Sequence, residues 1–290
     1  MEFTPFMLVV ASALFHALWN LMAKGGADKV AYMWLMNLTS LFTTLPVFFL
    51  LLSDWGLPIA AVPYMLLSGL AEALYFFSLG KAYEHGDLSL VYPIARSSPL
   101  FLFALAVIFL GEEVSPPGVL GILMVVLGVY MIHLRGLSPR DFLAPVTSIR
   151  SRASQFALLA ALSTSIYSLI DKVGVLKVGP MTYAFWLDFF ITALLMPLVL
   201  LRRGLRSLTS ELKSQGLKIV FSGFLMRVGY LMVLLAMSMA QVSYILSIRQ
   251  LSIVISSFLG AGLLGEKYRE VRLMASIIIF SGILILGSMV

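Results

Sequence analysis

The chain has 290 residues, of which 60% are hydrophobic and 12% are charged, and its mean hydropathy is +1.00. A water-soluble domain cannot bury that much apolar surface, so the composition predicts an integral membrane protein. The net charge of +6 does not indicate nucleic-acid binding, because most cations lie in short loops beside predicted helix ends. Cysteine is absent, which excludes disulfides, thiolate catalysis and cysteine-ligated metals.

Ten apolar stretches are long enough to cross a bilayer as helices, since a membrane-spanning helix needs about 20 residues. They lack the period-two alternation of membrane β-strands, which predicts an all-α fold. The first stretch follows Met1 and Glu2 without the basic segment or cleavage site of a signal peptide. In chain order the ten predicted spans are 4–23, 31–52, 60–81, 88–110, 116–134, 154–172, 179–201, 217–239, 243–264 and 271–289.

The two halves of the chain resemble each other. Three pairs lie 154 residues apart: Ser68-Gly69 with Ser222-Gly223, Gly111-Glu112 with Gly265-Glu266, and Gly128 with Gly282. Duplicated membrane domains are typical of secondary transporters, whose substrate site lies between the repeats. We therefore predict a first five-helix repeat at 1–134, a basic cytoplasmic linker at 135–152 and a second five-helix repeat at 153–290.

An odd number of helices per repeat predicts that the second repeat is inverted in the membrane relative to the first. Fifteen of the 20 lysines and arginines follow odd-numbered spans, and the positive-inside rule places those loops in the cytoplasm. Both termini are therefore predicted outside it. The fifteen are Lys24, Lys29, Lys81, Arg135, Arg140, Arg150, Arg152, Arg202, Arg203, Arg206, Lys213, Lys218, Lys267, Arg269 and Arg272.

Five charged residues lie inside the predicted spans, namely Glu72, Arg96, Asp188, Arg227 and Arg249. Each costs about 2.5–3.5 kcal/mol at the bilayer centre unless it faces a partner or water. Glu72 and Arg227 occupy adjacent equivalent positions of the two repeats, and so do Arg96 and Arg249, which predicts one central site. The five charges sum to +1, and such a site favours an anionic or zwitterionic ligand that arginine can grip. The alternative is that these charges only pair, for example Glu72 with Arg227, as a staple between the halves.

The surroundings of Arg96 favour a binding role. Pro93 and Pro99 break or bend span 4 and free backbone carbonyls, which is tolerated at depth only beside protein or a wet cavity. Tyr92 and Arg96 share one helical face. Span 9 has serines and Gln250 at the matching positions in place of prolines.

Two carboxyl groups are candidates for coupling transport to protons. Glu72 or Asp188 could exchange protons in a dry site. A permanent pairing of either carboxylate is the alternative. Span 1 adds His16, Trp19 and Asn20 as candidate pocket residues, although His16 could equally be a packing residue and Trp19 an interfacial anchor.

Small residues recur at a spacing of seven in spans 5 and 10. Gly121 and Gly128 in span 5 match Ala275 and Gly282 in span 10. Such residues let two helices approach closely, so we predict that these spans pack together and hold the repeats in register.

Ten spans in two repeats, with Gly-Glu closing the fourth span of each, resemble the EamA family of the drug/metabolite transporter superfamily. The stretches His16–Asn20 and Tyr92–Arg96 are similar to a bacterial or archaeal subgroup, which implies a multi-pass protein of a prokaryotic cytoplasmic (inner) membrane. The resemblance implies alternating access around a central cavity. Many relatives have both termini in the cytoplasm, whereas the loop charges here place them outside.

These observations predict a non-enzymatic transporter of a small anionic or zwitterionic metabolite, such as a carboxylate, a phosphorylated compound or an amino acid. Proton coupling, an exporter of lipophilic cations and a non-transporting scaffold subunit remain alternatives. We expect no cofactor, no metal and no nucleic acid, lipid as the surrounding partner, and a monomer or weak homodimer. The candidate binding residues are Arg96, Arg249, Glu72, Tyr92, Gln250, Trp19, Asn20, His16 and Arg227.

Overall fold

The computed structural model describes residues 3–23, 25–52, 55–86, 88–132, 134, 136, 138–256 and 269–290. In these residues the chain forms helices joined by short turns, and no β-strand. The helices are α1 (Phe3–Ala23), α2 (Lys29–Leu51), α3 (Val62–His85), α4 (Leu88–Ala95), α5 (Ser98–Leu105), α6 (Pro116–Met131), α7 (Pro139–Thr147), α8 (Arg152–Val178), α9 (Pro180–Met239), α10 (Val242–Arg249) and α11 (Arg269–Gly287). Residues 251–256 are helical as well, and a π-helical turn, Ala106–Leu110, follows α5.

Seven helical stretches of the described chain are long and apolar enough to cross a membrane, which confirms an integral, multi-pass membrane protein. Large apolar side chains on their outer faces stay uncovered, as Leu50 does at 82% exposure. The seven are Phe3–Ala23, Val30–Leu51, Ile59–Leu79, Pro93–Leu110, Arg152–Val178, Val199–Met239 and Glu270–Gly287, and two shorter apolar helices are Pro116–Met131 and Val242–Ser256.

Two helices extend beyond the spans predicted from the sequence. Helix α8 continues past residue 172 to Val178 and ends at Gly179, whose φ of 80° lies in the left-handed region that favours glycine. Helix α9 runs through the predicted loop at 202–216 and consists of two helices that meet at Gly204, where φ is 73°. The sequence does not predict either extension, because charged residues such as Lys172 and Arg202 are typical of loops at the ends of membrane spans. A helix can nevertheless continue beyond the membrane with its charged side chains in water.

Helices of one half pack mainly on helices of the other. Helices α1 and α2 lie along α9, and α3 lies along α8. Helix α6 packs against α11 at glycines, since a Cβ on Gly128 would lie 2.8 Å from the Ala275 carbonyl oxygen and one on Gly282 would lie 2.8 Å from the Gly121 carbonyl oxygen. This close approach confirms the predicted pairing of spans 5 and 10.

The break between α9 and α10 is fixed by side chains from other helices. The ammonium group of Lys172 donates to the carbonyl oxygens of Met237 and Ala240 at the end of α9, the latter at 2.9 Å. The Glu112 carboxylate accepts the backbone N–H groups of Val242 and Ser243 at 2.6 and 3.3 Å, and so caps α10. The helix dipole favours both contacts, because Lys172 puts a positive charge at the C-terminus of α9 and Glu112 puts a negative charge at the N-terminus of α10.

Candidate functional site

A cavity of about 100 Å³ lies between the two halves, large enough for several water molecules. Its walls come from α1, α2, α3, the α4–α5 junction, α8, α9, α10 and the residues that follow α10. The lining residues are Ser12, His16, Trp19, Asn37, Glu72, Tyr75, Phe76, Ala95, Arg96, Ser98, Thr164, Tyr167, Ile191, Met226, Arg227, Gly229, Tyr230, Leu246, Arg249, Gln250 and Ser252. The charged residues that the sequence assigned to a central site therefore meet here, with the exception of Asp188.

Two helix breaks bring arginines to the cavity wall. Arg96 follows the last residue of α4, and Arg249 is the last residue of α10. At the first break the Ser97 N–H donates to the Ile94 carbonyl oxygen at 3.2 Å, and at the second the Gln250 N–H donates to the Ser247 carbonyl oxygen at 3.1 Å. The α-helical hydrogen-bond pattern is therefore interrupted next to each of the two arginines.

Arg249 lies over an aromatic ring on the cavity wall. Its guanidinium carbon is 5.4 Å from the centroid of the Tyr230 ring, which is cation–π geometry. The Tyr230 hydroxyl in turn donates to the carboxyl group of Asp171. The guanidinium group of Arg249 thus lies on an aromatic face of the cavity wall.

Arg227 has a different environment, because it forms an ion pair with Asp188. Both side chains are buried, and the Ser40 hydroxyl donates to the second Asp188 oxygen at 2.8 Å. The sequence suggested Glu72 as the partner of Arg227, and the structure pairs it with Asp188 instead. Arg227 Nε and Nη1 have no hydrogen-bond partner within the described chain.

Glu72 lies on α3 and faces the cavity together with Tyr75 and Phe76, one turn further along. It lines the same cavity as the three arginines, as does Gln250. Because carboxylate and guanidinium groups share one small volume, the site presents both charge signs to a ligand.

Helix α1 contributes part of what the sequence assigned to it. His16 and Trp19 line the cavity and contact each other edge to face, with ring centroids 4.9 Å apart. The Asn20 amide instead donates to the His16 carbonyl oxygen on its own helix at 2.8 Å, and Asn20 is not among the lining residues. The side chain of Tyr92 lies outside the described residues.

Asp171 is a buried charged residue next to the cavity lining that sequence reasoning missed. It lies on α8 with no exposed surface and accepts hydrogen bonds from Ser68, Tyr183 and Tyr230. The predicted span ended at residue 172, which placed Asp171 at a helix terminus beside water. A polar run of Ser168, Asp171 and Lys172 on an otherwise apolar helix was the available signal.

Asp171 also changes the charge balance inside the membrane. Added to the five, Asp171 brings the sum of the charges from +1 to zero, and Lys172, the next residue of α8, returns it to +1. The charges that face the cavity are those of Glu72, Arg96, Arg227 and Arg249, whereas Asp171 and Asp188 are not among its lining residues. The cavity lining is therefore positively charged because three arginines and one glutamate belong to it, whereas the two aspartates do not.

Comparison with known proteins assigns the chain to a family. A model of the EamA-like transporter family matches residues 4–134 and 152–288. No curated protein matches the chain. A solved crystal structure of a protein is similar over 99% of both chains, with a TM-score of 0.75 and 17% identity, a likeness that shows the fold alone. Because the family model covers nearly the whole sequence in two repeats, the chain belongs to the EamA-like transporter family and is a membrane transporter of the drug/metabolite type.

Proposed function

We propose that the protein is a secondary active transporter of a small anionic or zwitterionic metabolite, such as a carboxylate, a phosphorylated compound or an amino acid. One observation carries this proposal, namely that Arg96, Arg227 and Arg249 converge on one cavity between the two halves. Arg227 is paired with Asp188, and Arg96 and Arg249 are the two other guanidinium groups of the cavity wall that would contact an anion. Guanidinium groups suit this role because they bind carboxylate or phosphate in a bidentate manner.

Alternating access would use the two broken helices. Helix α4–α5 belongs to the first matched segment, and α10 with the residues after it belongs to the second. In transporters built from repeats, interrupted helices form the substrate site at the repeat interface, and one repeat moves against the other. An anion held between Arg96 and Arg249 would contact both moving parts.

Glu72 is the better of the two candidates for proton coupling. Asp188 already has Arg227 and Ser40 as partners, which makes it a structural residue in this proposal. Glu72 faces the cavity, where it could bind a substrate amine or carry a proton between its two sides.

Binding and uptake by proteoliposomes would test the proposed function. The ligands are succinate, inorganic phosphate and L-glutamate, with tetraphenylphosphonium as a lipophilic cation. We expect at least one anion to bind and be transported, and Arg96→Ala and Arg249→Ala each to weaken its binding at least tenfold. Arg206→Ala is the matched control, since Arg206 is an exposed arginine on α9 away from the cavity.

The same experiment decides between this proposal and cation export. Trp19, Tyr75, Phe76 and Tyr167 give the cavity aromatic walls, which with Glu72 would suit a lipophilic cation. Transport of tetraphenylphosphonium that is lost in Glu72→Gln and kept in both arginine variants would overturn the anion proposal. Binding of no ligand by a folded protein would instead favour a scaffold role.

We further propose ten spans in two inverted repeats with both termini outside the cytoplasm, supported by the cations after odd-numbered spans. The absence of cysteine makes this directly testable, because a single introduced cysteine is the only thiol. In whole cells a membrane-impermeant maleimide should label Leu57→Cys, in the turn before α3, and label Leu143→Cys, on α7, only after permeabilisation. The reverse pattern would mean the opposite orientation.

A further inference from the structure

Asp171 receives hydrogen bonds on two oxygens that serve different parts of the molecule. Its Oδ1 accepts the Ser68 hydroxyl at 2.5 Å and the Tyr183 hydroxyl at 2.8 Å. Its Oδ2 accepts the hydroxyl of Tyr230. Ser68 and Tyr183 are fully buried and do not line the cavity, whereas Tyr230 does. One oxygen therefore ties helices together, and the other reaches a residue of the binding site.

The Tyr230 ring is the surface on which Arg249 lies, with 5.4 Å between the guanidinium carbon and the ring centroid. A cation–π contact depends on the cation staying over the ring face, so a ring that can turn away no longer holds it. The hydroxyl bond to Asp171 fixes the far end of that ring. A chain of contacts thus runs from a buried carboxyl group on α8, through α9, to an arginine at the end of α10.

We propose that Asp171 is a positioning residue of the anion site, and that it sets the place of Arg249 by anchoring Tyr230 through Oδ2. Its significance for transport rests on the proposed function, because Arg249 is there the group that grips the anion. The positioning itself is a property of the protein without ligand. Through this positioning, the affinity of the site for an anion depends on Asp171, a residue that does not itself contact the substrate.

The two sets of hydrogen bonds offer a matched set of variants. Tyr230→Phe removes the bond on Oδ2 and keeps the ring itself, and Asp171→Leu removes that bond because leucine has no polar atom. Ser68→Ala and Tyr183→Phe remove the bonds on Oδ1 and leave Tyr230 and the cavity lining unchanged. A purely structural Asp171 would make all four variants behave alike, since each removes a buried hydrogen bond to the same carboxyl group.

The first readout needs no ligand. The rate at which 2,3-butanedione modifies the Arg249 guanidinium is measured by mass spectrometry of purified protein in detergent. We expect Tyr230→Phe and Asp171→Leu to raise that rate about fivefold, the factor corresponding to loss of one cation–π contact. Ser68→Ala and Tyr183→Phe should keep the wild-type rate. Equal acceleration in all four variants, or none in Tyr230→Phe, would overturn the proposal.

The second readout is the dissociation constant for succinate, inorganic phosphate and L-glutamate. Tyr230→Phe should weaken anion binding about fivefold in the wild-type background and have no further effect in Arg249→Ala. If Arg249→Ala leaves binding of all three ligands unchanged while the modification pattern holds, the proposed function fails and the positioning role stands. If Arg249→Ala abolishes binding while Tyr230→Phe neither weakens it nor speeds modification, the positioning role fails and the function stands.

Discussion

Arg227 and Arg249 line the same cavity, yet their surroundings differ. Arg227 lies in the second part of α9, after Gly204, and is paired with Asp188 in the first part of the same helix. Arg249 ends α10 at a helix break and rests on an aromatic ring. An arginine in a membrane protein needs a partner or water, and these two satisfy that requirement in different ways. From this difference we expect Arg227 to act mainly on the fold and Arg249 to be able to exchange partners with a ligand.

The largest expected effect comes from leaving Arg227 unpaired. Asp188→Ala removes its ion-pair partner, and breaking a buried pair from one side costs about 3–5 kcal/mol. The measurement is thermal unfolding of purified protein in detergent. The double variant Asp188→Ala/Arg227→Met should recover most of the loss, since no unpaired charge remains. If the double variant is as unstable as the single one, Arg227 does not depend on this pair.

A smaller loss of stability is expected when proline is placed inside α10, and very little loss when it is placed just after the helix break. Ile245→Pro removes the hydrogen bond from the Ile245 N–H to the Gln241 carbonyl oxygen inside α10, which costs about 3 kcal/mol. Ser252→Pro lies in the first turn after the break, where proline is tolerated, as Pro99 is in α5. It is therefore the control. Equal destabilisation by both prolines would show that the helix is effectively continuous through Gln250.

The cap on α10 is expected to contribute less. Glu112→Ala leaves the Val242 and Ser243 N–H groups without their acceptor, and loss of such a cap costs about 0.5–2 kcal/mol. The neighbouring Glu113, which is exposed, supplies the control variant Glu113→Ala. Thermal unfolding should separate the two variants. If Glu113→Ala destabilises the protein equally, then general charge at this end, rather than the cap, is what matters.

The smallest effect on stability is expected for Arg249 itself. Arg249→Ala removes a cation–π contact worth about 0.5–1 kcal/mol at a partly exposed site. Its thermal unfolding should therefore lie close to that of wild type, although we expect anion binding to be at least tenfold weaker. A destabilisation as large as that of Asp188→Ala would erase the distinction between the two arginines and assign both to the fold.

The sequence predicted one helix break and not the other, for a physical reason. Pro93 and Pro99 flank Arg96, and proline lacks the N–H that an interior helical hydrogen bond needs, so two of them favour a break, although Pro46 and Pro197 each lie inside a helix that continues. The segment around Arg249 has no proline, so its break is not a local property of the residues. It occurs in a helix held at its start by Glu112, a residue 130 positions earlier in the chain. Contacts at that distance along the sequence cannot be read from composition or spacing.

In the candidate site, too, the sequence identified some features and not others. Intramembrane charge alone identified Glu72, Arg96, Arg227 and Arg249, and all four line the cavity. The sequence offered Glu72 only as one possible partner of Arg227, and the structure shows Asp188 in that place, because aligned positions of two repeats indicate depth in the membrane and not the rotation of each helix. Asp171 was missed because the predicted helix ended one residue beyond it, whereas α8 continues to Val178.

By itself the sequence determined the membrane class, the family, the all-helical fold and the glycine contact between α6 and α11. These follow from composition and from the spacing of apolar and small residues, which are properties of each segment that do not depend on the rest of the chain. Only the tertiary structure decided that Asp188 pairs with Arg227 and that Asp171 reaches Arg249 through Tyr230. Such pairings depend on how packed helices are rotated and shifted against one another, because a hydrogen bond or ion pair forms only within a few ångströms.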